Sequence, residues 1–153
     1  MLYKKIFSNG SILYFNPFHF TDGGLSKPKY FIVLKNTGDN IVLASLPTSK
    51  DTVPSNFQKS HGCIDMPEIN FNCYYFSPDR IICENGFSFP IETYIYGFRL
   101  CEYDSKKLLR QEEQKETKIT LCGVLKDIEY QSIIQCLSKS ASVKRKYRRI
   151  LIS

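Results

Sequence analysis

Two apolar runs on either side of a five-residue turn constrain the fold of this chain more than any other feature. Residues 30–34 are Tyr-Phe-Ile-Val-Leu, and a second apolar run occupies residues 41–46 after the turn at 36–40. Runs of this length, rich in aromatic and β-branched side chains, are typical of strands, and the turn contains Asn, Gly and Asp. The pattern therefore predicts a β-hairpin.

Similar short runs recur along most of the chain. About six short strands joined by turns predict a small barrel or sandwich. Eleven Phe and ten Tyr with no Trp agree with a β-rich fold. Besides the hairpin, the predicted strands are one at 12–15 that ends at Asn16-Pro17, short ones at 74–76 and 80–83, and a long one at 92–103 with a bulge at Gly97. The predicted loops are one at 19–28, with a turn at Asp22-Gly23-Gly24, and a polar region at 47–72 in which Cys63-Ile64 pairs at most briefly.

The last third of the chain predicts helices packed at the edge of this β-structure. Ser105 is a favourable N-cap for a helix over 106–114, and residues 118–122 alternate like one more strand. From Asp127 onward, apolar residues recur at helical spacing, which predicts an amphipathic helix that packs on the sheet. We therefore expect one mainly-β domain over residues 1–153, a small barrel or sandwich with peripheral helices and a C-terminal helix.

The chain carries no predicted membrane or export segment. No run approaches the roughly 18 apolar residues of a membrane span, and the N-terminal residues 1–6 lack the apolar stretch of a signal peptide. We therefore expect a cytoplasmic protein with no membrane partner. In that compartment the six cysteines are expected to be reduced and mostly buried rather than joined in disulfides.

The positive charge is concentrated in the last third of the chain. Residues 1–103 carry nine basic and nine acidic side chains, whereas residues 104–153 carry twelve and six, which accounts for the whole net charge of +6. The basic segment at 139–153 predicts contact with a polyanion, most commonly nucleic acid, and the alternative is a solvated tail. Its predicted RNA-binding residues are Lys144, Arg145, Lys146, Arg148 and Arg149.

The first half of the chain carries a recognisable order of parts. A Gly-led strand at 10–15 is followed by a loop that ends in Ser26-Lys27-Pro28, by the apolar hairpin, and by Pro47-Thr48-Ser49. This order resembles the MazF/PemK-like toxins, in which a basic residue and Pro precede an apolar strand and a later loop contains Thr or Ser. A weaker resemblance extends to residues 87–92 and to the helix from Asp127.

The resemblance implies an SH3-like barrel that forms a homodimer, binds an acidic antitoxin, and cleaves single-stranded RNA without a metal or another cofactor. In that family the basic residue before Pro and the Thr of the later loop form the active site. The corresponding residues here are Lys27 and Thr48, with Ser49 beside Thr48. We also expect Lys29 to contact RNA.

The chemistry of metal-free RNA cleavage can be stated without reference to a family. The 2′-hydroxyl attacks the neighbouring phosphate, so the site needs a base, an acid, and cations or hydrogen-bond donors for the charged transition state. The family has Arg where this chain has Lys27, and a lysine cannot grip a phosphate with two parallel hydrogen bonds. Arg80 and Arg99 are further candidates for the same pocket.

His61 and the cysteines around it allow more than one interpretation. His61, Cys63, Cys73 and Cys83 are potential zinc ligands, although their spacing lacks the close pairs of structural zinc sites. A Cys-His nucleophilic pair is a further alternative. We predict instead that no metal is bound and that His61 lines the RNA-binding groove, where its ring stacks on or hydrogen-bonds to a base.

The aromatic residues of the later strands also have two interpretations, base stacking or core packing. We expect core packing for Tyr74, Tyr75, Phe76, Tyr94 and Tyr96. For the chain as a whole the sequence predicts the toxin of a toxin–antitoxin pair that acts as an endoribonuclease. The alternative is a barrel without catalytic activity that binds nucleic acid or another protein.

Overall fold

Eight strands and three α-helices make up the described part of the chain, residues 6–20 and 24–153 of a computed structural model. The predicted turn residues Asp22 and Gly23 and the N-terminal residues 1–5 lie outside this part. The strands are β1 (Ser11–Phe18), β2 (Lys27–Asn36), β3 (Ile41–Ser45), β4 (Gly62–Met66), β5 (Phe71–Phe76), β6 (Thr93–Tyr96), β7 (Cys101–Asp104) and β8 (Lys118–Val124). The helices are α1 (Ser105–Gln114), α2 (Asp127–Ser138) and α3 (Arg145–Ile152), and short 3-10 helices occur at Pro67–Ile69 and Gly97–Arg99.

The strands form two antiparallel sheets. The large sheet has the order β7-β3-β2-β1-β8, and the small sheet has the order β4-β5-β6. Thr48, just after β3, joins the small sheet through backbone hydrogen bonds of 3.0 and 2.8 Å with Tyr94. The predicted mainly-β fold with peripheral helices is confirmed. A closed SH3-like barrel is not, because neither sheet closes on itself within the described residues.

The central strand β2 is buried on both faces, which explains its continuous apolar run. Ile32 and Leu34 face the first core, between the large sheet, the small sheet and helices α2 and α3. Phe31 and Val33 face the second core, on the opposite side of the large sheet under α1. The predicted hairpin of β2 and β3 is confirmed by their antiparallel pairing.

Helix α2 packs its apolar side on the first core, as its periodicity predicts. Ile133, Ile134 and Leu137 are buried, and the hydroxyl of Tyr130 donates a hydrogen bond to the Leu34 carbonyl at 2.6 Å. Helix α3 follows and is anchored by buried Leu151. The basic C-terminal segment is therefore held against the body of the protein. No described helix is long and apolar enough to cross a membrane.

Several predicted element boundaries were wrong, each for a local reason. Strand β1 does not end at Asn16-Pro17, because its pairing with β2 becomes irregular between Phe15 and Phe18 and leaves the proline out of the ladder. Residues 92–103 are not one strand, since the 3-10 helix at Gly97–Arg99 sends β6 and β7 to different sheets.

Three further corrections concern polar segments. Residues 80–83 are irregular rather than a strand, and among them only Cys83 makes a bridge, to Leu125. Strand β4 lies inside the predicted loop at 47–72. The N-cap of α1 is Asp104, whose carboxylate accepts hydrogen bonds from the backbone N–H groups of Lys106 and Lys107. Ser105 is the first helical residue.

The cysteines also depart from prediction. Cys63 of β4 and Cys136 of α2 form a disulfide with an Sγ–Sγ distance of 2.11 Å, so the expectation that all six cysteines are reduced was wrong. The remaining four are free, and two of them, Cys73 and Cys83, are buried. The pair is 73 residues apart in sequence, and only the packing of α2 against β4 brings it together.

Candidate nucleic-acid interface

A cleft of about 270 Å³ lies where β1 and β2 meet the loop after β3, and we call it the β2 cleft. It brings together three of the predicted site residues, Lys29, Thr48 and Ser49. Its other lining residues are aromatic, proline or hydroxyl-bearing side chains and one isoleucine: Tyr14, Pro28, Tyr30, Pro47, Phe89, Pro90, Ile91 and Thr93.

The loop that carries Thr48 is fixed by its backbone. Its two hydrogen bonds to Tyr94 tie the loop to β6, and the buried Pro47 precedes it. The Thr48 hydroxyl oxygen accepts a hydrogen bond from the Lys50 N–H at 3.2 Å, so its own proton remains available to a ligand. Ser49 is exposed. The cleft therefore offers two hydroxyl groups, one of them on a rigid backbone.

Partly exposed aromatic rings form one wall of the β2 cleft. The ring centroids of Tyr14 and Tyr30 are 4.9 Å apart, and those of Tyr30 and Phe89 are 5.0 Å apart. Both tyrosines are half-buried, whereas Phe89 is fully buried and supports them. Such rings can stack on unpaired bases. In contrast, all five aromatic residues predicted to pack in the core are buried, which confirms that prediction.

Three cations lie close enough for their charges to interact, and one of them, Lys29, lines the β2 cleft. The pKa of Lys29 is held below its ordinary value of 10.5, first by partial burial and then by the positive charges of Lys27 and Arg99. None of the three side chains forms an ion pair with another residue in the described part of the chain. Lys27 itself does not line the cleft and is exposed. This cluster includes Arg99, which does not line the cleft either, and excludes Arg80, which lines a different cavity.

Helix α3 carries the predicted basic residues, but they are not equivalent. Lys146 forms an ion pair with Glu102 at 2.7 Å, and Arg148 donates to the Val143 carbonyl at 3.1 Å. Lys144 lies over the ring of Tyr147, with its Nζ 5.8 Å from the ring centroid. Lys144, Arg145 and Arg149 are exposed. Three of the five residues therefore keep a solvent-facing charge with no ion pair to any described residue.

The start of this basic segment lies next to the turn that carries Arg99. A Cβ atom placed on Gly97 would be 2.8 Å from Cγ2 of Val143, so the backbone of the turn directly contacts the residue before Lys144. Phe98 is 62% exposed, and the Arg99 guanidinium is 5.2 Å from its ring centroid. An exposed aromatic side chain and a cation thus lie beside the start of the basic segment.

His61 does not belong to the β2 cleft. It lines a different cavity, where its Nε2 is 2.7 Å from an oxygen of Glu129. The alternative zinc set is not assembled either, because Cys63 is bonded to Cys136 and the described residues contain no group of three potential metal ligands. Sequence reasoning missed the partnership of His61 with Glu129.

No protein-family model matches the chain, and no curated protein or solved structure is significantly similar to it. The resemblance to the MazF/PemK-like toxins therefore stays a prediction.

Proposed function

We propose that this protein binds single-stranded RNA in the β2 cleft and cleaves it without a metal, as the toxin of a toxin–antitoxin pair. The observation that carries the proposal is a single cleft lined by Lys29, by two tyrosine rings and by the hydroxyl groups of Thr48 and Ser49, with the charges of Lys27 and Arg99 close enough to act on Lys29. Single strands are bound in this manner, with the phosphates on a basic surface and the bases on aromatic rings.

The same residues can serve cleavage. A base must take the proton of the 2′-hydroxyl, and a lysine whose pKa is lowered spends a larger fraction of time in the neutral form that can accept it. We assign this role to Lys29. Lys27 and Arg99 then stabilise the additional negative charge of the transition state, and Thr48 donates a hydrogen bond to it. As the 2′-oxygen bonds to phosphorus and forms the cyclic phosphate, the bond from phosphorus to the 5′-oxygen breaks, and the leaving 5′-oxygen takes a proton from solvent water. Lys27, the family counterpart of the active-site arginine, becomes an electrostatic neighbour rather than the base.

The basic C-terminal segment supports a second role for the same protein. Lys144, Arg145 and Arg149 present exposed positive charge beside the Arg99 turn. We propose that they either extend the RNA-binding surface or bind the acidic antitoxin. These alternatives differ in one measurable property, because only binding to RNA changes the salt dependence of RNA affinity.

The test compares RNA binding by two doubly substituted proteins. Lys29→Gln/Arg99→Gln removes the cation that lines the cleft and a neighbouring cation that acts on it, and Lys106→Gln/Lys107→Gln removes two exposed cations from α1 as a matched control. Binding of a fluorescent single-stranded RNA is measured between low and high salt. The slope of log affinity against log salt should become shallower by about 0.7 for each phosphate that the variant no longer neutralises. Equal slopes for both variants and the wild type would contradict RNA binding in the β2 cleft.

Cleavage is tested separately on the same proteins. Wild-type protein in EDTA should convert the RNA into products with a cyclic phosphate and a free 5′-hydroxyl, and Lys29→Gln should abolish this activity. Full-length RNA that remains bound to folded wild-type protein would favour the alternative of a barrel without catalytic activity.

A further inference from the structure

A cavity of about 580 Å³ lies between the small sheet and α2. We call it the His61 cavity. The disulfide between Cys63 of β4 and Cys136 of α2 joins its two walls. Cavities of this size accommodate compact organic ligands, whose volumes exceed those of a simple ion. Its walls are therefore covalently fixed around a space large enough for a small molecule.

A buried carboxylate lies at the base of the cavity. Glu129 Oε2 accepts hydrogen bonds from His61 Nε2 at 2.7 Å and from the Tyr74 hydroxyl. The Ser77 backbone N–H donates to His61 Nδ1 at 3.1 Å, so the ring proton is on Nε2. The side chains of His61 and Glu129 are only 7% and 10% exposed. This network holds one face of the carboxylate in a fixed orientation.

The other oxygen of Glu129 has no such partner. Oε1 accepts no hydrogen bond from any residue in the described part of the chain. Burial raises the pKa of Glu129, but the hydrogen bonds from His61 and Tyr74 and the electrostatic attraction of His61 and Arg80 outweigh it and lower that pKa. An ionised oxygen in a largely buried side chain is therefore available to an N–H donor from a ligand.

Two cations border the same cavity. Arg80 and Lys139 are both exposed, and within the described residues neither side chain takes part in an ion pair. Asp65 also lines the cavity, but its Oδ1 already accepts from Ser140 and Asn72. The cavity thus offers two cationic side chains at its exposed rim, beside the carboxylate of Asp65, and one oxygen of the largely buried Glu129 that accepts no hydrogen bond from a described residue.

Part of the cavity lining is apolar. Ile128 is 77% exposed and lines the cavity together with the disulfide. A planar ring can lie against such a surface while its edge hydrogen-bonds to a carboxylate. A phosphate ion alone would pair with Arg80 and Lys139 but leave Glu129 Oε1 without a hydrogen-bond donor.

We propose that the His61 cavity binds a nucleoside monophosphate, with its phosphate on Arg80 and Lys139 and an amino group of its base on Glu129 Oε1. Guanine, adenine and cytosine each present an amino group at the base edge. Uracil instead presents carbonyl oxygens beside its N3–H, and the carboxylate repels them. His61 and Tyr74 are positioning residues that orient Glu129. This site does not depend on RNA binding in the β2 cleft.

The proposal is tested by titrating the full chain with GMP, AMP, CMP, UMP and inorganic phosphate. Binding is measured by calorimetry and by changes in amide chemical shifts. We expect saturable binding of the three amino-bearing nucleotides, weaker binding of UMP and phosphate by about tenfold or more, and shifts at β4 and α2. Absence of saturable binding by folded wild-type protein would overturn the proposal, as would equal affinity for phosphate alone.

Two variants identify the contacts. Arg80→Gln/Lys139→Gln should weaken GMP binding by about tenfold or more, whereas Lys106→Gln/Lys107→Gln, with the same charge change on α1, should not. Glu129→Gln should remove the preference for GMP over UMP. Because Glu129→Gln also alters a buried network, the nucleotide preference of the wild type serves as the test that requires no substitution. Unchanged GMP affinity in the folded rim variant would contradict the assigned orientation.

Discussion

Removal of the Cys63–Cys136 disulfide is predicted to destabilise the fold by an amount that its position in the sequence determines. The two cysteines are 73 residues apart. If a disulfide acts by restricting the unfolded chain, closing a loop of this length contributes about 4.4 kcal/mol at 25 °C. With a urea m-value of about 2 kcal/mol/M, the double variant Cys63→Ser/Cys136→Ser should unfold at a urea concentration about 2 M lower than the wild type.

The assay is equilibrium unfolding in urea without reductant, followed by far-UV circular dichroism. Cys101→Ser is the matched control, since Cys101 is free and exposed, and its midpoint should not change. Wild-type protein treated with dithiothreitol should unfold near the midpoint of the double variant. A thiol titration of the unreduced, denatured wild type should count four thiols.

Two results would refute this reasoning. Six titratable thiols would show that the disulfide is absent from the purified protein. A double variant whose midpoint lies within a few tenths of a molar of the wild type would show that the linkage does not stabilise the fold through the unfolded chain.

Three further predictions concern packing and charge. Gly97→Ala should lower the free energy of unfolding, measured in urea, by about 1–3 kcal/mol, because the added methyl would lie 2.8 Å from Val143 Cγ2. An unchanged urea midpoint would show that the structure around the methyl relaxes freely. Because the folded-state pKa of Glu129 is lowered, its stabilising contribution is present above its ordinary pKa of 4.5 and disappears as pH falls through the folded value. Wild-type protein should therefore show a larger drop in unfolding free energy than Glu129→Gln between pH 7 and pH 3, and equal drops would contradict this assignment. In an NMR pH titration the pKa of Lys29 should rise in Lys27→Gln, because a neighbouring positive charge is removed, and a fall would contradict the cluster.

The parts of the fold that the sequence predicted are those specified by local patterns. The hairpin of β2 and β3 follows from two apolar runs around a turn, and helix α2 follows from helical spacing of apolar residues. The prediction of a single strand at 92–103 was wrong because a 3-10 helix at Gly97–Arg99 separates β6 from β7, and Gly97 there lies close to Asn72 and Val143, which are distant in sequence. No local pattern specifies which sheet a strand joins.

Of the two candidate sites, the sequence predicts residues of one and misses the main partnership of the other. The sequence predicts Lys27, Thr48 and Ser49 as catalytic residues and Lys29 as an RNA contact, and the structure places Lys29, Thr48 and Ser49, but not Lys27, in the lining of one cleft. The partnership of His61 and Glu129 spans 68 residues, and sequence reasoning missed it. One signal was available, since Glu129 lies four residues before Ile133 on the apolar face of α2, where a carboxylate needs a partner.

The most direct test of RNA binding in the β2 cleft is photochemical crosslinking of single-stranded RNA to the wild-type protein, with the crosslinked residues identified by mass spectrometry. If RNA binds in the β2 cleft, crosslinks form at Tyr14 and Tyr30, the half-buried rings of the cleft wall, and they disappear when unlabelled RNA competes. Specific crosslinks that avoid both tyrosines and map only to other surfaces would contradict it.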